Sequence, residues 1–127
     1  MNKKILIVDD EKDSVTFLER ALLREGFGVV TAFDGAEAKA KILQDKPDMI
    51  ILDLVMPKLD GWQVLLWLRK EAKLNIPTII VSAKGEMDDI KKGYNLEADT
   101  YLVKPLGVED VLSAIRALGT LETNDNN

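Results

Sequence analysis

The feature that most constrains this chain is the apolar run Met49-Ile50-Ile51-Leu52, which ends on Asp53 and is followed closely by Pro57. A short continuous apolar run suits a strand buried on both faces, and a proline lacks the N–H that a continuing strand would donate. A strand is therefore predicted here with a carboxylate at its C-terminal mouth. Three other runs end alike: residues 5–8 lead into Asp9-Asp10, residues 78–81 into Ser82, and residues 101–103 into Lys104-Pro105. If the strands are parallel, two more acids, a hydroxyl and an ammonium meet Asp53 at one rim.

At 127 residues the chain is the length of one domain, enough to bury roughly two-thirds of the surface of its unfolded form. It contains neither cysteine nor histidine. That excludes disulfides, thiolate and imidazole zinc sites, and the Ser/His and Cys/His nucleophile pairs, leaving carboxylates, hydroxyls and lysine to carry any chemistry. The net charge is -5, with both signs mixed along the sequence. Nucleic-acid binding by this domain alone needs clustered Lys and Arg and is not expected. No apolar stretch approaches the ~20 residues of a membrane span, and the start resembles no signal peptide, so the expectation is a cytoplasmic protein that does not enter the membrane.

The remaining pattern alternates strands with helices. Val15, Leu18, Ala21 and Leu22 recur at helical spacing over residues 12–25, with Gly26 as a stop. A second strand is expected over 27–32, and Asp34 with Glu37 reads as a cap and capping partner for a helix to about residue 45. After the central strand comes a loop, then a helix over 62–72. Its apolar residues 64–68 leave two options, a deeply packed helix or an exposed patch at Leu66 or Trp67. A strand from residue 78 to Ser82 precedes a helix over 86–96, which contains Gly93 and is the weakest of the set, hence the one most able to shift. A fifth strand over 99–103 and a last helix from Val108 to Leu118, stopped by Gly119, complete a domain of residues 1–119. Residues 120–127 are expected to be a flexible tail or a truncated linker. Five strands alternating with five helices predict an α/β fold, a doubly wound parallel sheet with its ligand site outside the strands' carboxyl ends.

Three carboxylates at one rim repel one another, and a bound Mg²⁺ relieves this, since the ion takes one or two protein carboxylates and leaves positions for water and phosphate oxygens. Lys104 offers a point charge for a phosphoryl oxygen and Ser82 a hydroxyl donor. Together these are parts of a phosphoryl-transfer site in which Asp53 is the nucleophile, becoming an aspartyl phosphate. Each residue alone has an ordinary structural role. Four strands ending in complementary groups for one anion and one cation are hard to obtain as independent accidents. Tyr101 is either a buried strand tyrosine or a two-position ring that turns inward when Ser82 moves toward a phosphoryl group.

In order along the chain, Asp9-Asp10, Asp53, the loop from Met56-Pro57 to Asp60-Gly61, Ser82 and Lys104-Pro105 closely resemble the receiver domain of two-component response regulators. The resemblance covers residues 3 to about 119. It implies the flavodoxin-like strand order 2-1-3-4-5 and a phosphorylation-activated switch whose fourth helix, fifth strand and fifth helix face an output domain or effector. It further implies that Asp53 takes its phosphoryl group from a sensor histidine kinase or phosphotransfer protein, catalysing only its own phosphorylation and dephosphorylation. Asp10, Asp53 and the backbone carbonyl of Val55 would hold Mg²⁺ directly, with Asp9 acting through water. Lys104 and Ser82 would hold phosphoryl oxygens, a cis bond would precede Pro105, and a phosphorylation-dependent homodimer is a further expected state. Ser82 stands where threonine is commoner. Val55 and Lys84, beside the site, are expected to tune phosphoryl lifetime, slowing its loss. The competing readings are an aspartate-nucleophile phosphatase, which resembles Asp-x-Asp where this chain has Asp53-Leu54-Val55, a flavin module, which Asp9-Asp10 would disfavour, and a receiver that binds partners without being phosphorylated.

Overall fold

Four near-continuous apolar runs can all be buried only if helices cover both faces of the sheet they form, and the chain solves this as a doubly wound α/β domain. The computed structural model describes residues 3–54, 60–83 and 85–125, with side chains described as far as residue 119. The strands are β1 (Lys4–Val8), β2 (Gly28–Ala32), β3 (Met49–Leu52), β4 (Thr78–Ser82) and β5 (Thr100–Val103), and the helices α1 (Lys12–Arg24), α2 (Gly35–Asp45), α3 (Gly61–Leu66), α4 (Met87–Asn95) and α5 (Val108–Asp125). All strand pairings are parallel, in the order β2-β1-β3-β4-β5.

Alternation along the strands divides the core in two. Ile5, Ile7, Met49, Ile51 and Ile79 point to the face covered by α1 and α5, where they meet Val15, Leu22, Val111, Leu112 and Ile115. Leu6, Val8, Ile50, Leu52 and Ile80 point to the other face, against Ala38, Ile42, Val64, Leu65 and Leu68 of α2 and the α3 segment. Central β3 is buried at every position, which is why its sequence carries no polar alternation.

Local signals set the helix starts. Asp34 accepts from the Glu37 backbone N–H at 2.8 Å, while the Glu37 carboxylate accepts from Phe33 N–H at 2.6 Å, one residue earlier than a standard capping box. At α3 the full box forms between Asp60 and Gln63. Gly26, at φ 93°, closes α1 in a conformation that favours glycine.

Two helices depart from expectation. The segment expected as one helix over 62–72 is α-helical only to Leu66 and then continues as a π-helical turn, Trp67–Glu71, with Ala72 N–H donating to the Trp67 carbonyl at 2.8 Å. Both options for its apolar cluster hold in part: Leu65 and Leu68 are fully buried, Leu66 is exposed, and half-buried Trp67 lies under the Lys39 ammonium. Gly119 does not stop α5, whose backbone runs on to Asp125. A glycine inside a helix costs only about 1 kcal/mol against alanine, too little to end one by itself.

The turn at Gly61 ties α3 to the end of β3. Gly61 N–H donates to the Leu54 carbonyl at 3.0 Å, and a Cβ at Gly61 would stand 2.6 Å from Leu54 Cα and collide with the Asp53 carbonyl oxygen. Both neighbours are backbone and cannot rotate away. Gly61→Ala is expected to lower unfolding free energy by about 3 kcal/mol, read from the urea midpoint at unchanged slope.

Candidate functional site at the carboxyl rim of the sheet

The backbone ladder that pairs the strands runs one step past their ends and so places the polar terminators. Asp9 N–H donates to the Ala32 carbonyl at 3.1 Å, Asp53 N–H to the Val8 carbonyl at 2.9 Å, and Lys104 N–H to the Ser82 carbonyl at 2.8 Å. Asp9, Asp53 and Lys104 thus reach one rim through backbone hydrogen bonds that any residue but proline can donate, and Ser82 at the end of β4 supplies the acceptor for the third. The peptide bond between Lys104 and Pro105 is cis.

At that rim Asp9, Asp10 and Asp53 each offer a carboxylate oxygen within 4.8 Å of the others. The Lys104 ammonium stands 3.5 Å from Asp53 Oδ2 and 3.7 Å from Asp9 Oδ2. Asp53 is buried, Asp9 partly buried and Asp10 exposed, so the cluster grades from protein to solvent. Burial pushes the Asp9 carboxyl above its ordinary value; a backbone hydrogen bond from Glu11, at 3.0 Å, opposes this, Asp53 adds to it, Lys104 opposes it and Asp10 adds to it. An acidic, oxygen-only donor set with one side open to water suits a hard divalent cation such as Mg²⁺ better than a softer metal.

Ser82 is fully buried at the end of β4, and its side chain is hydrogen-bonded to the phenol of Tyr101, which is also buried. Burial pushes the Tyr101 phenol above its ordinary value, the Ser82 bond opposes this, and Asp89 adds to it. Tyr101 thus occupies the inward position. Beside the site a cavity of about 530 Å³ runs from Asp53 and Lys104 between α1 and the start of α5, walled by Phe17, Leu18, Leu106 and Val108.

The structure therefore brings together Asp9, Asp10, Asp53, Lys104 and, behind them, Ser82 and Tyr101. Val55 and Lys84, expected as a carbonyl ligand and as tuning positions, lie outside the described residues. Two glycines named in the sequence have packing roles that it did not reveal. Gly61 supports the Asp53 backbone, and its signal was its place directly after the Asp60 cap. Gly93, expected merely to weaken α4, is buried against Tyr101.

A doubly wound sheet with acids, a hydroxyl and a lysine converging at its carboxyl rim has the build of a signalling receiver domain. Residues 5–116 match the response regulator receiver domain, and the chain belongs to this family of phosphorylation-activated switches of two-component signalling. It is 46% identical over 118 residues to the alkaline phosphatase synthesis transcriptional regulatory protein PhoP of Bacillus subtilis, covering 93% of this chain and 49% of that protein. It is 41% identical over 115 residues to the transcriptional regulatory protein PrrA of Mycobacterium tuberculosis, covering 91% and 49%. The chain thus spans about half the length of these relatives. Among solved structures it resembles the Francisella response regulator 1452 receiver domain, with 34% identity, a TM-score of 0.88 and coverage of 92% and 96%. It also resembles the CheX-CheY complex with BeF3 and Mg²⁺ from Borrelia burgdorferi, with 34% identity, a TM-score of 0.86 and coverage of 91% and 88%.

The raised Asp9 carboxyl carries a stability consequence. The folded state holds this proton more readily than the unfolded chain, so Asp9's contribution to stability is present at low pH and is lost as pH rises through its folded-state value. Asp9→Asn removes the buried charge and is expected to raise the melting temperature by roughly 3 °C at neutral pH. In thermal scans the gain over the parent should shrink on acidification through the carboxylate range.

Proposed function

We propose that Asp53 is the phosphoacceptor of this switch and takes its phosphoryl group from a phosphohistidine on a sensor histidine kinase or phosphotransfer protein. The observation that carries this reading is the Lys104 ammonium standing within 4 Å of both Asp53 and Asp9, a cation placed where the oxygens of an incoming phosphoryl group would come to rest. An Asp53 oxygen attacks phosphorus while the bond to the donor imidazole breaks, and the imidazole leaves with the bonding electron pair. An ionised carboxylate has no proton to lose, so no positioned base is required. Lys104 and the Ser82 hydroxyl hold the phosphoryl oxygens, and most of the rate advantage lies in positioning and charge neutralisation. Asp10, Asp53 and the Val55 carbonyl are the proposed direct holders of Mg²⁺, with Asp9 acting through water. When bound, the ion supplies neutralisation of phosphoryl charge that one lysine cannot provide.

On this reading the chain catalyses only its own phosphorylation and dephosphorylation. Residues 1–119 are the proposed receiver unit, and residues 120–127 a tail or linker whose backbone begins as the last turns of α5. The α4–β5–α5 face relays the state to an output domain or effector, and the relatives' names point to transcriptional control as that output. Among the described residues no helix is long and apolar enough to cross a membrane, which agrees with a cytoplasmic placement. A phosphorylation-dependent homodimer remains part of the proposal.

Asp53→Asn is expected to abolish phosphoryl uptake from a small phosphodonor with Mg²⁺, measured by intact mass, while leaving the far-ultraviolet circular dichroism of the parent. A variant still carrying an acid-labile phosphoryl group at residue 53 would refute the assignment. Val55→Asn, which adds a side chain able to orient water, is expected to speed loss of the phosphoryl group several-fold, followed as decay of the phosphorylated mass.

A further inference from the structure

Gly93 is buried in α4 although both its neighbours, Lys92 and Tyr94, are exposed. A Cβ at this position would stand 2.8 Å from Cδ2 and 3.2 Å from Cε2 of the Tyr101 ring, and 3.2 Å from Cδ1 of Ile80. Carbon atoms rest comfortably at about 3.5–4.0 Å, so a side chain here forces something to move. The helix is poorly placed to do so, because three ties hold this end of α4. The Gly93 carbonyl accepts from Ala98 N–H at 3.0 Å, the Glu97 carbonyl accepts from Arg69 Nε–H at 3.1 Å, and the Lys92 ammonium lies 4.6 Å from the centroid of the Trp62 ring. Arg69 is itself locked, its side chain only 6% exposed and paired with Asp99 at 3.2 Å. Ile80 is fully enclosed in the central part of the sheet. The Tyr101 ring sits on edge strand β5 and has the least obstructed exit, a rotation toward solvent.

We propose that Gly93 is a positioning residue for Ser82: its missing side chain keeps open the seat in which the Tyr101 ring lies against α4 with its phenol bonded to the Ser82 hydroxyl. A serine hydroxyl has one hydrogen to give and two lone pairs to accept with. The bond from Ser82 opposes the rise of the phenol's pKa, as a serine hydroxyl donating to the phenol oxygen does, so the ring fixes where Ser82 Oγ sits at the strand end. A side chain at residue 93 turns the ring out, and Ser82 loses the partner that fixes its Oγ. The role rests on Asp53 being the phosphoacceptor. It also explains why a poor helix former occupies a nine-residue helix: alanine would favour the helix and close the seat.

The test starts from Tyr94→Phe, which leaves Tyr101 as the sole tyrosine, labelled biosynthetically with fluorotyrosine. Adding Gly93→Ala is expected to shift the ¹⁹F resonance toward its solvent-exposed position. In the unlabelled protein it should lower the melting temperature and weaken Mg²⁺-dependent beryllofluoride binding, read from Trp62 and Trp67 fluorescence, by about tenfold. In a Tyr101→Ala background the clash with the ring is gone and only the 3.2 Å approach to Ile80 Cδ1 is left, which a small shift into the vacated ring space relieves, so Gly93→Ala should instead raise the melting temperature and leave beryllofluoride affinity unchanged. An unmoved resonance, or equal effects of Gly93→Ala in the two backgrounds, overturns the proposal. A parent that binds no beryllofluoride overturns the acceptor reading, and with it the aim of Ser82, while the resonance still decides the seat.

Discussion

Three carboxylates held within 4.8 Å of one another repel, and everything distinctive about this domain follows from how the fold tolerates that. The Asp9 and Asp53 oxygens share a single ammonium at 3.7 and 3.5 Å. Neither contact is a tight ion pair, and one cation cannot neutralise three anions. The imbalance is a standing attraction for further positive charge, and it adds to the burial that chiefly raises the Asp9 carboxyl. A site relaxed in the absence of a cation would have little reason to bind one. Here binding energy is stored as local electrostatic discomfort, which the rest of the sheet is stable enough to bear.

What keeps the acids from moving apart is backbone, not side chain. Asp9, Asp53 and Lys104 are each fixed by a ladder hydrogen bond that extends a parallel strand pairing by one residue. Asp53 is further constrained from below, since α3 begins directly against its carbonyl at Gly61 and is held there by a reciprocal Asp60–Gln63 box. At the opposite end of the sheet the buried Arg69 joins the turns after α3 and α4, reaching the Leu74 carbonyl at 2.8 Å, the Glu97 carbonyl at 3.1 Å and Asp99 at 3.2 Å. The same Asp99 carboxylate accepts from Thr78 N–H at 2.7 Å, at the first residue of β4. Rim and floor are therefore each organised by a few named bonds, with the apolar layers between them supplying most of the stabilisation.

The sequence shows the rim more plainly than the machinery behind it. Strand ends are legible because an apolar run that stops at an acid, a serine or a lysine changes character within one residue, and the parallel order follows from alternation with helices. Gly93 and Arg69 are not legible in the same way. A glycine in a helical pattern reads as weakness, because propensity concerns the isolated helix and cannot register a ring from β5 packing against it. An arginine followed by a lysine in a helix reads as a solvated face, yet the π-helical turn Trp67–Glu71 changes the helical phase, and Arg69 lies folded beneath the sheet. Gly119 misleads for a related reason: without a left-handed residue to reverse the chain, a lone glycine is simply carried through.

The glycine contact at the start of α3 gives the domain a mechanical asymmetry. On the β3–α3 side, backbone touches backbone with no compressible side chain between, so a displacement at Asp53 meets an unyielding wall. On the β4–α4 side the link from the rim runs through a hydroxyl and a ring seated against a glycine, and both side chains can rearrange by rotation about single bonds. On the proposed acceptor role of Asp53, a push delivered at the centre is deflected sideways, much as a lever turns because one of its ends is pinned. The direction in which the message leaves is decided by where the molecule refuses to bend.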